Sequence, residues 1–283
     1  MQTNKKFKIA ICISGELRYW AVTKQLYNHF HQYYSDEVDF DFFIVTWTPN
    51  EDRISISNSY NRNRPKAHQK PFHGNLITRD EVVQGLNRLQ KFKMLDMNTE
   101  LRITHNQDKF YYLIHRCNLL KSMYEVKNDF VYDCVLITRP DIIQTKDTPK
   151  ALYNFCTNLN YTDPSPSELF IFSTTISTNE TKLGGISTMD TAFYGRSATM
   201  DTFSTLFKYV FLSDKFNLIP MSHTIPLMWM KYAGLYVAPG RGVKTTVFNK
   251  NKGKLKWEKY KELISKGEIE KAFQGNIKVK KRR

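Results

Sequence analysis

The apolar positions of the chain fall into short, bounded runs, and between them come stretches in which apolar residues recur every three or four positions. "KFKIAICIS" (residues 6–14) places Ile9, Ala10, Ile11, Cys12 and Ile13 in succession, the pattern of a strand covered on both faces, and Gly15 supplies the turn signal. Val22, Leu26, Phe30 and Tyr33 then recur at helical spacing, and "FDFFIVTW" (40–47) is a second buried run. Strand, helix and strand at this length predict a βαβ unit, and hence parallel strands.

Residues 49–76 are rich in Asn, Ser, Arg and His and show no apolar period, which predicts a long loop over an active-site mouth. Thr78-Arg79-Asp80-Glu81 matches a capping box and predicts a helix from there to about Phe92. A second helix is predicted over 109–127, with Leu113, Cys117, Leu120 and Tyr124 on one face, leading into the strand-like "CVLIT" (134–138). "ELFIFST", "TAFYG" and "GLYVAPG" read as further strands, and "TMDTFSTLFKYVF" and "HTIPLMWMKYAG" as helices. The alternation predicts an α/β fold with an open, mostly parallel sheet of five to seven strands, flanked by helices, whose ligands bind at the carboxyl ends of the strands.

At 283 residues the chain suits one α/β domain, read as a body over 1–240 and an extension over 241–283. An aromatic share of 14% argues for an ordered core and against disorder. No apolar run approaches the roughly 18 residues of a membrane span, and the lysine-led start has no cleavage site, so the sequence reads as soluble and cytoplasmic. Four widely spaced cysteines without a CxxC pair read as buried thiols. Of the net charge of +15, +11 lies in residues 241–283, which end in "NIKVKKRR". That basic, helix-prone tail reads either as a solvated surface helix or as an electrostatic contact with phosphates, nucleic acid or an anionic membrane. No RNP, zinc-finger or helix-turn-helix pattern accompanies the charge, which argues against nucleic acid as the partner.

Candidate chemistry sits at the predicted strand ends. Ser14-Gly15-Glu16-Leu17-Arg18 has one glycine, which excludes the GxGxxG fingerprint, yet Ser14, the turn at Gly15 and the Arg18 cation suit phosphate oxygens. Thr46-Trp47 ends the second run, where the tryptophan either walls a pocket or caps the core. "DCVLITRPDI" drives a buried strand into Arg139-Pro140-Asp141, where proline fixes the chain at the end of the ladder. The flanking pair reads as a structural ion pair or as a binder of diphosphate and metal.

These residues in order, SGELR, then VTW, then YDCVLITRPDI behind a helix, then Asp190-Thr-Ala-Phe-Tyr-Gly195, resemble the GT-A-type nucleotide-sugar glycosyltransferases of bacterial surface-polysaccharide clusters and large DNA viruses. The likeness spans about residues 7–240. It implies a Rossmann-like (GT-A) sheet and sugar transfer from a nucleoside diphosphate donor to a glycan or lipid-linked acceptor. In that family an Asp-x-Asp-like element holds Mn²⁺ or Mg²⁺ on the diphosphate; the matching element here, Thr138-Arg139-Pro140-Asp141, keeps only the last acid. Two versions follow: a cation on Asp141, with His223 as a second ligand, or a metal-free site in which Arg139, Arg18 and tail lysines meet the leaving group. Asp190 is the candidate base for the acceptor hydroxyl, with an N-cap as its plainer reading, and Arg116 a candidate nucleotide contact. His223, ahead of "TIPLMWM", reads equally as a cap or core residue.

Overall fold

The computed structural model describes residues 6–17, 20–32, 34–48, 78–96, 106–143, 145–158, 170–173, 176–177, 187–188, 192–208, 233–239, 246–247, 262–263 and 265–268. Strand β1 (Phe7–Ser14) leads through α1 (Trp20–Phe30) to β2 (Val38–Trp47). The two strands pair in parallel from Phe7↔Val38 to Ser14↔Val45, as the βαβ pattern predicts. Next come α2 (Arg79–Val83), β3 (Leu89–Leu95), α3 (Asn106–Lys127), β4 (Cys134–Thr138) and the short β5 (Ile142–Ile143). Helix α4 (Asp147–Asn158), β6 (Phe170–Ser173), β7 (Ile176–Ser177), β8 (Ser187–Thr188) and β9 (Ala192–Gly195) follow. Helix α5 (Ser197–Ser204), β10 (Tyr236–Pro239) and β11 (Thr246–Val247) complete the order.

Among the described residues, seven strands join one sheet in the order β10-β6-β9-β4-β1-β2-β3. All of them run parallel except β9, which lies antiparallel between β4 and β6. This is the open, mostly parallel, Rossmann-like α/β architecture that the run pattern implies. Alternation in β1 serves both faces. Ile9, Ile11 and Ile13 pack with α1 and α4, while Ala10 and Cys12 pack with α3 and α5. All four cysteines are buried thiols, as their settings in apolar runs predict.

One boundary moves. The Thr78–Glu81 capping box forms, with Glu81 N–H donating to Thr78 Oγ1 and Thr78 N–H to the Glu81 carboxylate. The helix it starts, however, ends at Val83 instead of running to Phe92. The chain passes Gly85 and takes a positive φ of 56° at Arg88, and residues 89–95 then pair in parallel with β2. Arg88 fixes this turn by donating to Asp39 and Asp41 on β2. Tertiary pairing overrides the helical reading here.

Helix α3 is anchored at its carboxyl half. Lys121, fully buried, donates to Glu125 and Asp201 at 2.7 and 2.8 Å and to Ser197, while Glu125 also accepts from the Tyr132 amide. A buried cation survives only with such a full set of partners, and this one locks α3 onto α5. The amino half of α3 is thereby carried to the carboxyl ends of β1 and β2. No described helix is long and apolar enough to cross a membrane.

Candidate functional site

Strands β1, β2 and β4 finish nearly flush, because Ile13 pairs with Thr138 and Ser14 with Val45. Each then turns on the residues singled out from the sequence. Gly15 leaves β1 with φ +139°, backbone that other residues seldom adopt, and its amide donates to the Val45 carbonyl at 3.3 Å. A Cβ placed on Gly15 would lie 3.1 Å from Cδ of Pro140. The bare glycine is therefore what lets the β1 turn and the β4 turn touch.

After β4 the chain bends through Arg139-Pro140-Asp141-Ile142, closed by the Ile142 N–H donating to the Arg139 carbonyl at 3.2 Å. Proline at the second position and aspartate at the third suit such a turn, which swings the side chains of Arg139 and Asp141 together. Arg139 Nε and Nη2 donate to the two Asp141 oxygens at 2.9 and 2.6 Å, a bidentate, charge-assisted pair. The Arg139 guanidinium carbon also sits 5.8 Å from the centre of the Phe110 ring.

The remaining candidates divide. Ser14 is fully buried and its hydroxyl donates to the Leu113 carbonyl at 3.4 Å, tying β1 to α3. Thr46 is buried and donates to the Trp47 carbonyl. Trp47 belongs to the core, its ring stacked on Tyr112 at 6.0 Å, so of its two readings the core role is the one seen. Arg116, half-buried, lies 5.8 Å from the same Tyr112 ring. Thus Gly15, Arg139, Pro140 and Asp141 meet at the rim, with Phe110 beside Arg139 and Arg116 beside Tyr112 on the α3 side. Arg18, Asp190 and His223 lie outside the described residues, as does most of the loop predicted over 49–76. Ala192, two residues after Asp190, pairs with Thr138, the residue before Arg139.

The sequence reading missed Phe110 and Tyr112. Both sit on a helix whose aromatics read as ordinary core, and only the placement of α3 shows that they face the strand ends.

Among the described residues the rim offers a cation one carboxylate, that of Asp141, already paired with Arg139. Both Asp141 oxygens already accept from Arg139, and among the described residues no three His, Cys, Asp or Glu side chains gather as a ligand set.

No family model matches the chain, and no curated protein does. Among solved structures the chain is similar to a "glycosyltransferase involved in the glycosylation of the major capsid of PBCV-1". That match covers 83% of this chain and 82% of the other, at 11% identity and a TM-score of 0.38.

Proposed function

We propose that the protein is a glycosyltransferase that takes a sugar from a nucleoside diphosphate donor and transfers it to a hydroxyl of a glycan or lipid-linked acceptor. One observation carries the reading: the Gly15 turn and the Arg139–Asp141 turn meet at the carboxyl ends of the adjacent central strands β1 and β4. Open α/β sheets bind nucleotides at such ends, and the ordered motifs around this point are those that resemble the GT-A enzymes. Fold alone would not distinguish activities; the cation at the rim is the feature suited to a diphosphate.

In the proposed reaction the acceptor oxygen forms a bond to the anomeric carbon as the bond from that carbon to the diphosphate breaks. Arginine meets the charge that builds on the departing diphosphate. Asp190 takes the hydroxyl proton, a role supported by its place two residues before Ala192, whose partner Thr138 ends β4. In this scheme the lysines and arginines of the basic extension hold the enzyme near an anionic membrane carrying a lipid-linked acceptor.

The test is donor turnover by the wild-type chain and by Asp190→Asn. The variant is expected to lower kcat by about 10²–10⁴-fold, the usual worth of a general base, while leaving donor KM within a few-fold. Equal losses in binding and turnover, or none in either, would remove Asp190 from the chemistry.

A further inference from the structure

We propose that the outer face of α3 is a membrane-docking surface, in which Leu119, Met123 and Val126 enter the interface of an anionic bilayer and Lys91, Lys93 and Lys127 meet its headgroups. The inference goes beyond the transferase reading and does not depend on it.

Leu119, Met123 and Val126 recur at i, i+4 and i+7, which places them in one stripe along the helix. Cys117, Lys121 and Tyr124, each two positions earlier, hold the sheet side. Cys117 Sγ donates to the Phe43 carbonyl at 3.4 Å, Tyr124 packs edge-on against Phe43 at 5.6 Å, and Lys121 is fully buried. Two residues turn a helix by about 200°, so the stripe faces away from the sheet. Helix α5 takes a third side, where Asn118 and Ser122 donate to Asp201.

The stripe is open to solvent: Leu119, Met123 and Val126 are 40%, 60% and 84% exposed, and Val131, just past the helix, 68%. Among the described residues the other exposed large apolar side chain is Val83. The exposed positions of α1, α4 and α5 are Ala21, Lys150, Asn154, Ala198 and Thr202, small or polar throughout. Helix α3 is thus apolar toward the core and apolar again on its outer side, the pattern of a helix with a second surface to cover.

Charge decides what covers it. On β3, Lys91 and Lys93 stand opposite Phe43 and Val45 of β2, so they project from the α3 side of the sheet, and Lys127 adds a cation at the end of the stripe. Across residues 109–131 the acids are Glu125, buried against Lys121, and Asp129. A chain of net charge +15 repels a second copy of itself, and the stripe is small beside the roughly 20–30 residues a side of a stable protein–protein interface. An anionic bilayer suits both features: its headgroups draw the lysines, and its acyl boundary accepts a shallow row of aliphatic side chains. Phe110, beside Arg139, precedes Leu119 by about 14 Å along the helix, so a bilayer against the stripe lies near the rim.

The test is cosedimentation of the full chain with vesicles of phosphatidylcholine alone and of phosphatidylcholine mixed with phosphatidylserine. Binding to the mixed vesicles is expected, falling as salt rises, and about tenfold or more weaker on phosphatidylcholine alone. The triple variant Leu119→Gln, Met123→Gln, Val126→Gln keeps good helix formers at exposed positions; it should bind about tenfold or more weakly, with a melting temperature near that of the wild type. Lys91→Gln with Lys127→Gln should bind several-fold more weakly and respond less to salt. Met123→Cys, labelled with an environment-sensitive dye against four buried native thiols, should shift its emission to the blue on the mixed vesicles. No binding to the mixed vesicles would overturn the proposal. Binding undiminished in the triple variant, or a label unmoved on bound protein, would also overturn it and give the contact to the basic extension. A lipid-free dimer that the triple variant dissociates would overturn it in favour of a second copy. Vesicle binding of the expected kind without turnover of any nucleotide sugar would keep this surface and remove the transferase reading, and turnover by a chain that ignores vesicles would do the reverse.

Discussion

Arg139 and Asp141 stand two residues apart in the chain and pair in space across the turn at Pro140. The same turn presses on Gly15, so one glycine and one proline set the distance between two strand ends. Gly15→Ala puts a methyl group 3.1 Å from a ring that cannot rotate away, on backbone with φ +139°. We expect it to destabilise the fold by about 1–3 kcal/mol, read as a lower urea midpoint at constant m-value. An unchanged midpoint would show that the two turns are not in contact in solution. At this scale the sequence was informative about backbone and less so about side chains. The single glycine, the proline and the charged pair are visible as types, and an ion pair was one of the readings open for Arg139 and Asp141. Ser14, Thr46 and Trp47 look equally suited to a ligand on paper. The burial of Ser14 against Leu113 and of Trp47 against Tyr112 depends on α3, which no local pattern in the strands foretells.

Elements were legible where their period was unbroken. The capping box at Thr78, the apolar face of α3 and the buried runs of β1, β2 and β4 all form as their patterns dictate. The helix expected to run to Phe92 fails because "LQKFKML" is stabilised by pairing with β2, a long-range partner that local propensity does not see. Helix α4 went unread although Ala151, Leu152 and Cys156 share a buried side, since Pro149 in its first turn looks like a breaker and is only a tolerated early position. The basic extension is the most altered element. Its solvated-helix reading describes only part of it: Thr246–Val247 pair with β5, and Leu263, 4% exposed, sits in the core cluster with the α1 and α4 residues. Leu263→Ala should therefore cost about 2–4 kcal/mol in chemical denaturation, the range for emptying a buried leucine site. A loss under 0.5 kcal/mol, as for a surface position, would detach the extension from the body.

On the scale of the whole molecule, strand order follows from the βαβ rule only as far as β1, β2 and β4. The insertion of β9, antiparallel, between β4 and β6 is a pairing between distant segments, and periodicity is silent about it. Yet that insertion has a consequence for function. It begins at the rim, with Ala192 opposite Thr138, and so brings the chain segment after Asp190 to the strand end that carries Arg139. Parallel β1 and β4, the close turns after them and antiparallel β9 thus deliver three separate stretches of sequence to one edge of the sheet. The most direct measurement is the melting temperature of the full chain against a panel of nucleoside diphosphates and their sugars, with Arg139→Ala alongside. At about 100 times its dissociation constant, the right donor is expected to raise the wild-type value by about 5 °C and to leave the variant unmoved. A panel that shifts neither protein, or a shift that persists undiminished in Arg139→Ala, would contradict the account.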